Sequence, residues 1–147
     1  MMRVGDGSPL EQMNTSMTSN APAAWLWSRY IAVAEKQGTA RASRQGTTQN
    51  DIIKEYLSRG TYIFPPAPSL KLITDVAAFT YREVPKWNPM NVCSYHLQEA
   101  GATAEQELAY ALATAIAVLD AVRDSGQVPE EDFAKVVGRS SFFVNAG

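Results

Sequence analysis

Short strand-like segments alternate with segments of helical period along this chain, and no other feature leaves so few folds open. Strand character falls at residues 13–17, 42–48, 90–94 and 140–145. Between the first two, residues 21–37 repeat Ala24, Trp27, Ile31 and Ala34 at helical spacing, with Asn20 placed to cap the start and Gly38 to stop the end. A shorter helix is expected over 50–58, carried by Ile52, Ile53, Tyr56 and Leu57 and closed by Gly60. Phe64-Pro65-Pro66-Ala67-Pro68 reads as extended loop, since each proline lacks an N–H and restrains the residue before it. The next helix starts near Ser69, faces inward through Leu70, Ile73, Val76, Ala77 and Thr80, and ends before Pro85. The last covers 103–124: Thr103 and Gln106 have capping-box spacing, and Leu108, Leu112, Ala115, Ile116, Leu119 and Val122 form its expected buried stripe. Such alternation implies an α/β fold with a parallel sheet and right-handed crossovers, in either an open doubly wound sheet or a closed barrel. Periodicity selects neither.

Several function classes drop out on composition. At 147 residues, 46% hydrophobic and 19% charged, the chain has the apolar content of one folded unit. A net charge of -2 supplies no field for nucleic acid or an anionic membrane. No stretch approaches the roughly 20 apolar residues of a membrane span, and 1–9 lacks the apolar run of a signal peptide. One cysteine, Cys93, and one histidine, His96, make neither an internal disulfide nor a four-ligand zinc site, which fits a reducing cytoplasm.

Each strand-like segment runs into polar residues at its C-terminal end: Thr18-Ser19-Asn20, Thr47-Thr48-Gln49-Asn50-Asp51, Ser94-Tyr95-His96 with Gln98 and Glu99, and Asn145 with Gly147. In parallel α/β folds ligands bind at that edge. His96 alone offers an imidazole, yet it reads equally well as a strand-end histidine satisfied by backbone groups. From spacing alone Arg59 is a solvated charge at a helix C-terminus, Lys86 a surface lysine, Tyr95 rim packing and Gln49 a helix cap. Cys93 has no base near it in sequence and reads as core. Trp25, Trp27 and Trp87 are expected to pack helices on the sheet, and no phosphate loop, GxSxG, HExxH or CxxC occurs.

Four longer stretches carry more than periodicity: 12–18 (QMNTSMT), 46–56 (GTTQNDIIKEY), 59–66 (RGTYIFPP) and 94–101 (SYHLQEAG). From about Leu10 to Gly147 they resemble the substrate-binding domain of the methylmalonyl-CoA mutase superfamily, the adenosylcobalamin-dependent acyl-CoA mutases. Gly46-Thr47-Thr48-Gln49 and 87–96 (WNPMNVCSYH) resemble the ethylmalonyl-CoA mutase branch more than the methylmalonyl-CoA branch.

The resemblance implies a partial (β/α)8 TIM barrel of about four βα units over 10–147, after a disordered segment over 1–9, with no cobalamin-binding domain. It implies an isomerase that rearranges the carbon skeleton of a coenzyme A thioester, ethylmalonyl-CoA to methylsuccinyl-CoA or the methylmalonyl-CoA/succinyl-CoA pair. Homolysis of the cobalt–carbon bond of adenosylcobalamin supplies the radical, and the protein positions and polarises. By the same resemblance His96 hydrogen-bonds the migrating thioester carbonyl, and Arg59 pairs with the substrate carboxylate through its bidentate fork. Thr47, Thr48 and Gln49 touch substrate, Lys86 touches substrate or coenzyme A, and Tyr95 lies between substrate and corrin.

The sequence departs from the family pattern in places. Arg29 sits inside the first helix where an apolar residue fits, and Ser43-Arg44 occupies the entry to a strand that should be buried. The match spans the second to fifth strand regions of an eight-strand barrel, and the chain carries no Asp-x-His-x-x-Gly motif for the lower cobalt ligand. A second reading follows: a truncated remnant or split-enzyme partner that at most binds acyl-CoA, joined to the missing barrel and cobalamin-binding segments or to a second copy of itself.

Overall fold

Every strand ladder among the described residues is parallel in the computed structural model, which describes residues 7–145. β1 (Asn14–Thr18) pairs with β2 (Gln45–Gln49), Asn14 opposite Gln45 and Thr18 opposite Gln49; β2 pairs in turn with β3 (Lys86–Asn88). β4 (Met90–Cys93) pairs with β5 (Ser140–Phe143) and also lies alongside β2. Pro89, almost fully buried, separates β3 from β4. Having no N–H it cannot extend the ladder with β2, and there the chain changes partner. Strand neighbours therefore follow chain order.

The connections are helical: α1 (Ala23–Lys36), α2 (Ile52–Lys54) continued by a π-helical turn (Glu55–Arg59), α3 (Pro66–Glu83), α4 (Tyr95–Glu99), α5 (Ala104–Asp124) and α6 (Phe133–Val137). Of these, α1, α3 and α5 pack on one face of the strands. Gly46 and Thr48 of β2 turn toward them, where Trp87 is fully buried among Trp27, Tyr30, Ile31 and Val84. The indole Nε1 of Trp87 donates to Thr48 Oγ1 at 2.9 Å. Met90 and Val92 of β4 meet Ile52, Ile73, Ala111, Ala115 and Val118 in a second cluster, and Ala77, Val122, Phe133 and Val136 form a third.

The expected order of strands and helices holds, with local corrections. The first turn of α3 contains Pro66 and Pro68, read from sequence as loop, because first-turn N–H groups have no helical acceptor and a proline loses nothing there. Asn20 does not cap α1 with its side chain; it takes φ +42° and is committed to Asp51 and Glu55 instead. Residues 41–43 form a 3-10 turn, so β2 starts at Gln45 rather than 42, and β3 was not expected at all. The capping box of Thr103 and Gln106 is present, but the buried stripe of α5 is Glu107, Ala111, Thr114, Ala115, Val118 and Val122. Leu108, Leu112 and Ile116 are exposed, since the close approach to β4 admits alanines where leucines would not fit.

Trp25 is exposed too and does not pack on the sheet; the Arg29 guanidinium stacks 4.2 Å over its ring, which resolves the charge inside α1. Arg44 is not resolved in this way: it is fully buried and all three guanidinium nitrogens lack a hydrogen-bond partner among the described residues. The expected disordered segment 1–9 lies outside the described residues as far as residue 6; beyond it, the Pro9 carbonyl accepts from Gln12 N–H at 2.9 Å and Leu10 is buried.

Two substitutions should move stability in opposite directions. A Cβ at Gly46 would lie 2.2 Å from the Thr15 carbonyl oxygen and 2.6 Å from the Trp87 ring, so Gly46→Ala should cost at least about 1–3 kcal/mol. Arg44→Met keeps the volume and removes an unpaired buried cation, and should stabilise by about 1–3 kcal/mol. Urea denaturation midpoints test both, and a lowered midpoint for Arg44→Met would show that its guanidinium is satisfied.

Candidate functional site

Strand alternation sends the odd-numbered residues of β2 away from the helices. Thr47 and Gln49 thereby reach a cleft of about 490 Å³ at the C-terminal ends of the strands, together with Ser16, Met17 and Thr18 of β1 and Asn88 of β3. Asn91 of β4, Tyr95 of α4 and Ser141 and Phe143 of β5 complete its lining. This is the edge at which the sequence gathers its polar clusters. A larger opening of about 720 Å³ lies at the opposite edge, lined by Tyr81, Arg82, Pro85, Lys135, Gly138 and Arg139, and contains none of the predicted site residues.

A chain of side-chain hydrogen bonds crosses the cleft. Lys54 Nζ, buried, donates to Gln49 Oε1 at 2.6 Å; Gln49 Nε2 donates to Asn91 Oδ1 at 3.2 Å; Asn91 Nδ2 donates to Ser141 Oγ at 2.9 Å. Beside it, Asn88 Nδ2 donates to Thr47 Oγ1 at 3.2 Å.

His96 lies behind Tyr95, the two rings stacked at 3.9 Å, and the Tyr95 ring meets Phe143 edge-on at 5.5 Å. The imidazole is buried, with Nδ1 3.6 Å from Cys93 Sγ. Burial first, then the charges of Lys54 and Arg59, hold His96 below the usual histidine range, so it is neutral at pH 7. Burial likewise pushes the Cys93 thiol up, keeping it protonated and in the core. Asp51 anchors this corner: its carboxylate accepts from Cys93 N–H at 3.0 Å and from Lys54 N–H at 3.4 Å, and burial raises its pKa. It also caps α2, the role the sequence suggested for Gln49.

Arg59 ends the π-helical turn outside the cleft lining, half exposed, with Nη1 3.8 Å from Glu55 Oε1. Glu55, buried, also accepts from Asn20 Nδ2 at 2.7 Å and Thr61 Oγ1 at 3.0 Å. The structure thus brings Thr47, Gln49 and Tyr95 into one cleft, with His96 behind Tyr95; Arg59 lies outside the lining, near enough for its charge to bear on His96. Two predicted residues stand apart. Thr48 is fully buried on the helix-facing side, its hydroxyl held by Trp87, because the residue between two cleft-facing neighbours on a strand must point the other way. Lys86 is exposed at the start of β3, two residues before Asn88, and does not line the cleft.

Lys54, Asn88, Asn91 and Ser141 were not singled out from sequence. Asn91 carried a readable signal, a polar residue between apolar Met90 and Val92 on a strand. Lys54 carried none, since its approach to Gln49 is made by the turn between β2 and α2. Among the described residues no group of three His, Cys, Asp or Glu side chains is placed to hold a metal ion, and no helix is long and apolar enough to cross a membrane.

A family model described as methylmalonyl-CoA mutase matches residues 1–147. The chain is 69% identical over 147 residues to the ethylmalonyl-CoA mutase of Methylorubrum extorquens, of which it covers 21%. It is likewise 69% identical over 147 residues to the ethylmalonyl-CoA mutase of Cereibacter sphaeroides, covering 22% of that protein. With the methylmalonyl-CoA mutase of Cereibacter sphaeroides the identity is 44% over 142 residues, 97% of this chain and 20% of that protein. The chain therefore spans about a fifth of the length of these curated relatives.

As the only histidine, His96 gives an unambiguous NMR titration, and its midpoint should fall below the ordinary value of 6.5. A depressed folded-state pKa means that its contribution to stability is complete above pH 6.5 and is lost as the pH falls through the folded-state value. His96→Gln should remove that acid-side loss; a midpoint at or above 6.5 would show an imidazole open to solvent or held by a carboxylate.

Proposed function

The chain belongs to the methylmalonyl-CoA mutase family, and on that footing we propose that it forms the acyl-CoA-facing part of a carbon-skeleton mutase that converts ethylmalonyl-CoA to methylsuccinyl-CoA. The observation that carries this reading is the convergence of Thr47, Gln49, Asn91, Ser141 and Tyr95 in one cleft at the C-terminal ends of parallel strands, with a neutral imidazole directly behind. The higher identity to the ethylmalonyl-CoA mutases, 69% against 44%, supports the choice of substrate. Helices on one face and a polar cleft on the other support a segment of a (β/α)8 barrel, because a doubly wound sheet carries helices on both.

In this reading Gln49 and Asn91 offer amide N–H groups to the thioester, and Tyr95 forms the wall of the reaction chamber. The Cys93 thiol, kept protonated, donates to His96 Nδ1 and leaves the imidazole proton on Nε2, the tautomer needed to donate to the thioester carbonyl as charge develops on its oxygen. Arg59 takes the substrate carboxylate, exchanging its longer contact with Glu55 for a bidentate one. Thr48 holds Trp87 and so fixes the strand whose neighbours meet substrate; Lys86 has no part in the cleft. Adenosylcobalamin supplies the radical when bound. Among the described residues Tyr95 fits it, as an aromatic wall, whereas His96 is buried against Cys93 and is no cobalt ligand. The corrin and its lower ligand are accordingly assigned to other segments.

The unpaired edge of β5 and the exposed Leu108, Leu112, Ile116, Phe142 and Phe143 favour a second reading of activity, in which the chain works only when complementary barrel segments or a second copy cover these surfaces.

A thermal melt of the purified chain by near-ultraviolet circular dichroism, with and without ethylmalonyl-CoA, tests the proposal. A cooperative transition raised by ligand supports a substrate site within the chain, and a transition indifferent to ligand rules one out. Arg59→Gln should weaken ethylmalonyl-CoA more than tenfold, about 1.5–3 kcal/mol for a lost charged hydrogen bond, and leave butyryl-CoA unaffected. Equal losses for both would remove Arg59 from carboxylate recognition.

A further inference from the structure

Lys54 is 2% exposed, and its Nζ lies 2.6 Å from Gln49 Oε1. An ammonium has three donors and no acceptor, so the carboxamide oxygen of Gln49 must face it and the NH2 group must face the other way. There Nε2 donates to Asn91 Oδ1 at 3.2 Å, which in turn obliges Asn91 to present its own NH2, bonded to Ser141 Oγ at 2.9 Å. Each amide spends one N–H in this chain, a side-chain hydrogen bond also joins Gln49 to Cys93, and Gln49, Asn91 and Ser141 all line the cleft.

We propose that Lys54 is a positioning residue that sets the polarity of the Gln49–Asn91–Ser141 chain, so that the cleft presents donors and selects a ligand whose facing groups are acceptors, a thioester carbonyl or a carboxylate. The selectivity rests on the acyl-CoA reading above; the fixed polarity does not. The two ends of a carboxamide have nearly the same shape, so without Lys54 nothing steric opposes a flip of Gln49. A flipped Gln49 offers its oxygen to Asn91, Asn91 reverses to meet it, and carbonyl oxygens replace N–H groups toward the ligand. The influence of Lys54 on the protonation of both His96 and Cys93 accords with a cation held at the base of the cleft.

The test uses the full chain and reads two things. By NMR, with Gln49→Ala and Asn91→Ala assigning the side-chain amides, the wild type and Lys54→Arg should show a contact from the Gln49 NH2 protons to Asn91, and Lys54→Met should lose it. By calorimetry, Lys54→Met should weaken ethylmalonyl-CoA at least fivefold in the wild-type background and leave affinity unchanged in the Gln49→Ala background, while Lys54→Arg retains binding. Lys54→Gln, free to accept as well as donate, replaces Lys54→Met in both arms should that variant fail to fold. An unchanged Gln49 amide in Lys54→Met, or an equal loss in both backgrounds, overturns the proposal. Absence of acyl-CoA binding in every protein including the wild type sinks the acyl-CoA reading, and the NMR arm still decides the role of Lys54.

Discussion

The contact between Gly46 and the Trp87 ring governs much of this structure. With no side chain at Gly46, β2 lies against the indole closely enough for Trp87 Nε1 to reach Thr48, and the hydrogen bond satisfies the one polar atom that such a large buried ring brings with it. That packing fixes which face of β2 meets the helices. Because strand side chains alternate, it also fixes Thr47 and Gln49 on the other face, where the cleft lies. Core and site are two sides of the same five residues.

At the C-terminal edge of the strands the chain buries charge in quantity: Asp51, Lys54 and Glu55 are consecutive or nearly so, and each is almost fully buried. These groups are tolerable because each is bonded. Asp51 takes two backbone N–H groups, Lys54 holds Gln49, and Glu55 collects Asn20, Thr61 and Arg59. Arg44, at the other end of β2, is the contrast: buried equally deeply, with nothing to bond among the described residues. The three buried charges at the cleft edge are bonded, although Ser19 Oγ and Asn50 Nδ2 at the same edge lack a partner among the described residues.

Much of the fold was legible in the sequence because its main elements are set by local pattern. The capping box at Thr103 and Gln106 and the turns at Gly38 and Gly60, both at positive φ, arise from the few residues that form them. The failures share a cause. In the stripe expected for α5, Ala115 and Val122 are buried but Leu108, Leu112 and Ile116 are exposed, and Ala111 and Val118 take the packed face beside them, because the fit between helix and strand decides which side chains are covered. Pro66 and Pro68 were assigned to a loop by their missing N–H groups, although a first helical turn has no use for those groups. β3 escaped notice since its three residues become a strand only by lying next to β2.

For the site, the family resemblance selected Thr47, Thr48, Gln49, Arg59, Lys86, Tyr95 and His96, and the order of strands and helices placed Thr47, Gln49, Tyr95 and His96 at one edge of a parallel sheet, while spacing alone put Arg59 at a helix C-terminus. Only the tertiary structure decided that Thr48 turns into the core, that Lys86 stays outside, that Cys93 stands against His96, and that Lys54 reaches Gln49. The division has a physical reason. Periodicity, capping and turn chemistry act over a few residues and are written in local sequence, whereas the direction of a side chain within a site is settled by neighbours that the fold brings from far along the chain, as Asn91 and Ser141 are brought together across 50 residues.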